Sequence, residues 1–198
     1  MDKPIQTLIM LGKPGAGKGT QSGILKERLR FSIIGYGDFF RGLSKQDTFV
    51  SRKVGETINQ GSLLPHWFPS YVLMDKLFHT IETEEAIILD GAARSRKEAE
   101  LTHEVLHWFE RPYKALYIDI TDQEAVDRLT SRRELINRVD DDDDHIKTRL
   151  QAYHNTVIPA IEFFREQGTL IEINGAQRME EVSREILGKL NTIGLETR

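Results

Sequence analysis

The sequence predicts an α/β fold built on a five-stranded, mainly parallel sheet. Three observations predict it: five short apolar runs, helical stretches that separate them, and a glycine-rich turn, "GKPGAGKGT" (residues 12–20), directly after the first run. Continuous rather than alternating apolar runs are expected of strands covered on both faces. Strands that alternate with helices imply parallel pairing, because each crossover returns the chain to the same end of the sheet.

In chain order the strands are expected at residues 7–11, 31–34, 86–89, 115–120 and 169–173. Two stretches fall outside the alternation. Residues 38–80 hold several helices and read as a small insert, and residues 133–140 read as a short polar loop between helices. The core then comprises residues 1–37, 81–132 and 141–198. "TDQE" (121–124) is a capping box, with Thr121 as N-cap and Glu124 reaching back to its amide. Ile146, Leu150, Tyr153, Val157, Ile161 and Phe164 step by three and four and form one apolar stripe. Pro159 within that stripe predicts a kink, because proline lacks the N–H a helix interior needs.

The chain has 198 residues, 39% hydrophobic and 29% charged, a composition that suits one globular unit with at most a small insert. A net charge of −4 argues against a general nucleic-acid binder. No apolar stretch approaches the ~18–20 residues of a membrane span, and "MDKPIQ" lacks the basic-then-apolar pattern of a secretory signal. The count of zero cysteines excludes disulfides, cysteine-based zinc sites and a thiol nucleophile, and is compatible with a cytoplasmic protein.

Gly12, Gly17 and Lys18 satisfy G-x-x-x-x-G-K in a strand–loop–helix setting. In such a loop, backbone N–H groups and the positive end of the following helix hold phosphates, and the lysine reaches the β- and γ-phosphates. Gly15, Ala16, Gly17, Lys18, Gly19 and Thr20 are the expected ATP-binding segment, and the fold becomes a three-layer P-loop sandwich. A mere glycine-rich turn between strand and helix is the alternative.

Gly19 follows the lysine, with Thr20 one place on. In this form "GKPGAGKGTQ" resembles the adenylate kinase family of nucleoside monophosphate kinases, of the short-lid type. The resemblance runs from about residue 6 to about residue 190. It recurs in "GYGDFFR" (35–41), "GSLL" (61–64), "LDGAAR" (89–94), "DRLTSRR" (127–133), "RVDD" (138–141) and "RLQAYH" (149–154).

The resemblance implies roles residue by residue. Arg41 and Arg94 would hold the phosphate of the acceptor monophosphate, in a site lined by Tyr36, Ser62, Leu63, Leu64, Gly91 and Glu98. Arg128 would lie against the donor adenine, and Gln177 would meet the donor base through its main-chain carbonyl. Arg132, Arg138 and Arg149 would gather with Lys18 around the transferring phosphoryl group. Asp90 would position the water shell of Mg²⁺. No zinc is expected, and the family leans monomeric.

The chemistry of the residues supports these roles independently. Phosphoryl transfer spreads negative charge over non-bridging oxygens, so positioned cations stabilise its transition state. Arg128 and Arg132 stand four apart on the capped helix and share a face. Taken alone, such arginines are as often solvated surface residues.

Other clusters read as structure. The run Asp140–Asp144 is expected to start the following helix rather than cage a metal; Asp140 and Asp141 would also face lid arginines. His103 and His107 suggest a solvated helix face, and Trp67, Phe68 and Tyr71 suggest packing within the insert. A GTP-driven switch lacks its N-K-x-D segment. An ATPase would have a glutamate after Asp90, where Gly91 stands. A regulatory protein that binds nucleotide without catalysis is a third alternative, against which the retained Lys18, Asp90 and arginines argue.

The acceptor base is the open question. Glu98 stands where the family has a glutamine that meets adenine, and an ionised carboxylate only accepts hydrogen bonds. Tyr36 replaces a threonine, Ala93 a proline and His66 a common aspartate. AMP is the favoured acceptor, with GMP or a pyrimidine monophosphate as the alternative.

Overall fold

The structure, a computed structural model, describes residues 4–60, 62–136 and 143–195, with side chains left out at 134–136. Gly61, Arg138, Asp140 and Asp141 therefore lie outside the described residues, and so does half of the expected lid loop, residues 137–140.

β1 (Thr7–Gly12) leads through the glycine loop into α1 (Lys18–Leu29), β2 (Ser32–Gly35) and α2 (Tyr36–Leu43). α3 (Phe49–Asn59) and α4 (Trp67–His79) complete the insert before β3 (Ile87–Asp90), α5 (Arg96–Trp108) and β4 (Tyr113–Asp119). α6 (Asp122–Ile136), α7 (Asp143–Ala152), a π-helical turn (Tyr153–Val157), α8 (Ile158–Glu166), β5 (Leu170–Asn174) and α9 (Met179–Asn191) follow. All five expected strands form, each within two residues of its expected bounds.

The sheet order is β2-β3-β1-β4-β5, and every pairing is parallel. β1 is central, with Met10 opposite Asp90 on one side and Gly12 opposite Ile118 on the other. The chain turns one way from β1 to β2 and β3 and the other way to β4 and β5. The crevice at that reversal, beyond the strands' carboxyl ends, is where open α/β sheets bind ligands.

Alternate strand residues feed two cores. Ile9, Leu11, Ile87, Leu89 and Ala115 pack with Ala99 and Leu106 of α5 and Ile161 and Phe164 of α8. Leu8, Met10, Ile88, Leu116 and Ile118 pack with Leu25 of α1 and Val182, Ile186 and Leu190 of α9. Both sheet faces are covered, which is why the strands read as continuous apolar runs.

The capping box forms as expected: Glu124 N donates to Thr121 Oγ1 at 3.2 Å, and Thr121 N donates to Glu124 Oε2 at 2.7 Å. α6 runs through Ile136, past the loop start expected at 133, because no glycine or proline interrupts "RRELI". The expected kink takes the form of the π turn. It lets α8 restart so that Pro159 falls in its first turn, where the missing N–H has no intrahelical partner to lose. Ile146, Tyr153, Ile161 and Phe164 of the stripe are buried, and Leu150 and Val157 partly so. Among the described residues no helix is long and apolar enough to cross a membrane.

Candidate functional site

The glycine loop is shaped by its neighbours. A Cβ on Gly12 would stand 2.5 Å from the Ile118 carbonyl oxygen, so β4 presses directly on the loop's first residue. Gly17 has open space around it but a φ of +87°, a backbone state that side chains disfavour. A Cβ on Gly15 would come within 3.0 Å of the Ala125 carbonyl, which seats the loop against α6. Ala16 N donates to the Lys13 carbonyl at 3.2 Å and closes the turn.

Lys18 Nζ donates to the carbonyls of Gly12 and Lys13, both at 2.8 Å. Its pKa is pushed down to about 7, chiefly by burial and next by the Arg94 guanidinium. Asp90 opposes that shift, while Arg149 and Arg132 add to it. The fold thus brings the β3–α5 loop, α6 and α7 to bear on one ammonium. Thr20 is exposed at the start of α1.

Asp90 ends β3. A Cβ on Gly19 would lie 3.4 Å from its Oδ2, so the carboxylate borders the first turn of α1. Among the described residues, no three histidines, aspartates or glutamates converge as a metal cage.

In the β3–α5 loop, Arg94 folds back over Gly91, whose Cβ would meet Arg94 Nη2 at 2.8 Å. Arg41 Nη2 donates to Asp38 Oδ1 at 2.6 Å. Ser62 is exposed, Leu63 is half-buried, and Leu64 packs against the core. Tyr36 is only 1% exposed and lies in the core with its ring 6.2 Å from that of Phe40, so it offers no open face for stacking. His66 precedes α4 without a capping hydrogen bond. Glu98 is turned inward: Oε1 accepts from Ala93 N at 2.6 Å and Oε2 from Arg94 N at 3.1 Å.

At the β5–α9 loop, Arg128 Nη2 donates to the Gly175 carbonyl at 2.8 Å. Gln177 follows two residues on, its side chain held by the Asn174 carbonyl and Glu185 Oε2. Arg128 and Gln177 are thereby joined through one short loop between β5 and α9.

Sequence reasoning missed Lys13. Its ammonium donates to the Ile120 carbonyl at 2.5 Å, stands 3.4 Å from Asp122 Oδ1 and 3.8 Å from Asp119 Oδ1, and lies 5.2 Å from the Tyr153 ring centroid. Tyr117 donates to Asp119 Oδ1 at 2.6 Å and meets the Tyr153 hydroxyl at 3.0 Å. His154 Nε2 lies 2.8 Å from Asp122 Oδ2 and holds that carboxyl below its ordinary range. This network ties the phosphate loop to the roots of both helices that carry Arg132 and Arg149. The motif leaves position 13 free, so no spacing in the sequence signals it.

Two structural expectations change and a third holds. His103 is not simply on a solvated face: its Nδ1 lies 2.7 Å from the Tyr113 hydroxyl and its ring packs edge-on to Phe163, and burial lowers its pKa. Trp67 and Tyr71, each 57% exposed, share an i,i+4 face of α4 turned to solvent, and only Phe68 packs inward, on Phe40. Asp143 and Asp144 do occupy the first turn of α7, where Asp143 Oδ1 also accepts from Arg133 at 2.9 Å.

A family model described as adenylate kinase matches residues 10–169. An adenylate kinase of Chlamydia trachomatis serovar L2 is 32% identical over an alignment that covers 96% of this chain and 92% of its own length. One from Leptospira biflexa is 33% identical, covering 92% and 98%, and one from Acetivibrio thermocellus is 29% identical, covering 95% and 99%.

Proposed function

This chain belongs to the adenylate kinase family of phosphotransferases, and on that premise we propose that it moves the terminal phosphoryl group of ATP onto AMP. The observation that carries the reading is the convergence on Lys18 of Arg94, Arg132 and Arg149, contributed by three separate elements, with Asp90 beside them. A phosphate loop alone binds nucleotide. A ring of cations around its lysine serves a second phosphate and the charge that develops between the two.

In this reading the amides of Gly15 to Thr20 cradle the donor phosphates, while Arg128 and the main chain of Gln177 flank the donor base. Arg41 and Arg94 hold the acceptor phosphate, and Ser62, Leu63, Leu64 and Gly91 wall its site, with Tyr36 packed behind them in the core. An acceptor phosphate oxygen forms a bond to the γ-phosphorus as the bond to the β–γ bridging oxygen breaks, giving two molecules of ADP. Lys18, Arg132 and Arg149 stabilise charge on the oxygens of the transferring group, and Arg138 belongs to the same proposed set. Positioning and electrostatics supply most of the acceleration.

The donor set fits a magnesium ion carried in on the nucleotide. Asp90 is a single carboxylate that borders the first turn of α1, its Oδ2 3.4 Å from the point where a Gly19 side chain would begin. Such sites pair one or two carboxylates with substrate phosphates and keep several waters. Asp90 would orient the waters of Mg²⁺ there, and the ion would supply charge withdrawal from the phosphates. The reading includes a cytoplasmic monomer with no zinc, nucleic-acid or membrane partner.

A coupled ADP-formation assay tests it, with ATP offered alone and with AMP, GMP, UMP or CMP. ADP formation that requires both nucleotides and is fastest with AMP is expected. Equal turnover of ATP alone would indicate a hydrolase and overturn the reading. GMP or a pyrimidine monophosphate in first place would support the alternative acceptor.

A further inference from the structure

Glu98 sits in the first turn of α5, where the side chain of Ser95 caps the helix by accepting from Glu98 N at 3.3 Å. A glutamate at this position ordinarily reaches back to the amide of the capping residue itself. Here it reaches further, and its two oxygens take the amides of Arg94 and Ala93. It is 4% exposed, and Tyr36, buried in α2, has its phenol pKa raised in part by the Glu98 charge. Arg94 is the other charged group acting on the carboxylate. The inward turn leaves no open face toward a ligand.

The loop that it holds is unusual in its backbone. Gly91 has a φ of +90° and Ala93 a φ of +53°. A non-glycine residue in the left-handed region persists only where its surroundings hold it. Between them the chain turns so that the Arg94 guanidinium lies back over Gly91, 2.8 Å from the point where a side chain there would begin. The direction of Arg94 therefore depends on the two amides that Glu98 secures.

Resting on the acceptor-site reading above, we propose that Glu98 is a positioning residue that clamps the Gly91–Arg94 loop, aims Arg94 at the acceptor phosphate, and does not read the acceptor base. Acceptor discrimination then comes from residues outside this loop, and the carboxylate acts on every acceptor alike.

The test uses three variants of the full chain and two readouts: kcat/KM for AMP, GMP and UMP, and hydrogen exchange at the Ala93 and Arg94 amides. A glutamine amide has one acceptor oxygen and would set its NH₂ against the other backbone donor. Glu98→Gln is expected to lower kcat/KM by roughly tenfold or more for all acceptors together, the scale of a lost charge-assisted hydrogen bond. The AMP-to-GMP ratio stays within about twofold and exchange at both amides speeds up. Ala93→Gly keeps the N–H and adopts a positive φ freely, so it stays close to wild type. Ala93→Pro removes the N–H and cannot adopt that φ, so it falls at least as far as Glu98→Gln. A shift of tenfold or more in the AMP-to-GMP ratio with amide exchange unchanged would overturn the clamp, and so would a fully active Ala93→Pro. If Glu98→Gln does not fold, the glycine–proline pair at position 93 decides. If the wild type transfers phosphoryl to no monophosphate, the functional reading fails, while amide exchange in Glu98→Gln still decides whether the clamp exists.

Discussion

Lys13 and Ile120 lie 107 positions apart in the chain, yet the lysine ammonium donates to the Ile120 carbonyl at 2.5 Å from a residue only 8% exposed. This bond fastens the phosphate loop to the β4–α6 junction. Lys13→Met removes the bond, the approach to Asp122 and the contact with the Tyr153 ring, and leaves the buried carbonyl unpaired. A loss of about 1–3 kcal/mol is expected, read from urea unfolding. A variant within about 0.5 kcal/mol of wild type would show that the bond contributes little.

Lys18→Ala is expected to lower phosphoryl transfer at least a hundredfold, on the order of a catalytic electrostatic contact. Far-ultraviolet circular dichroism should not change, because among the described residues the Lys18 side chain bonds to two loop carbonyls and to no helix or strand partner beyond them. A variant that keeps half of wild-type turnover would remove Lys18 from the catalytic set.

The lowered pKa of Lys18 gives a signed prediction. Its value in the native protein, about 7, lies below the ordinary 10.5. Between those two values the unfolded chain binds more protons, so stability of the nucleotide-free protein rises with pH across that window. Phosphates should restore the charge. ATP binding at pH 8 is expected to take up a proton, measured by calorimetry in buffers of different ionisation enthalpy. Lys18→Met should abolish the uptake.

Glu98 has the opposite sign. Burial pushes its carboxyl from 4.5 up to about 7. Between those values the native state binds more protons than the unfolded chain, so this group makes stability fall as pH rises from 4.5 to 7. Glu98→Gln should flatten that slope in urea melts at pH 5, 6 and 7. An unchanged slope would show that Glu98 is ionised in both states throughout the window.

Two glycines, both at positive φ, differ in packing: Gly12 at +141° is pressed by β4 and Gly17 at +87° is not. Gly12→Ala places a methyl 2.5 Å from the Ile118 carbonyl, a contact that only movement of β1 or β4 relieves. Gly17→Ala meets no atom within 4 Å and carries only the left-handed backbone, a cost of about 1–2 kcal/mol. Gly12→Ala should therefore lower the melting temperature more than Gly17→Ala. The reverse order would mean that the sheet yields easily at β4.

The strands, the glycine loop, the Thr121–Glu124 capping box and the place of Asp90 were legible in the sequence. Each depends on apolar runs or on residues a few positions apart, which local backbone geometry ties together. The Pro159 interruption was legible as well, although its form as a π turn followed from where α8 could restart. Tyr36, Trp67 and Tyr71 were not, because the apolar character of a residue does not tell which face of a helix meets the core. Only the tertiary structure decided the site itself. The order β2-β3-β1-β4-β5 sets the carboxyl ends of β1 and β3 side by side and brings loops and helices far apart in the chain to one lysine. Lys13 finds Ile120 and Asp122 through the same geometry. The inward turn of Glu98 depends on the left-handed path of a neighbouring loop, and such a path is settled by the packing around it rather than by the residues' own preferences.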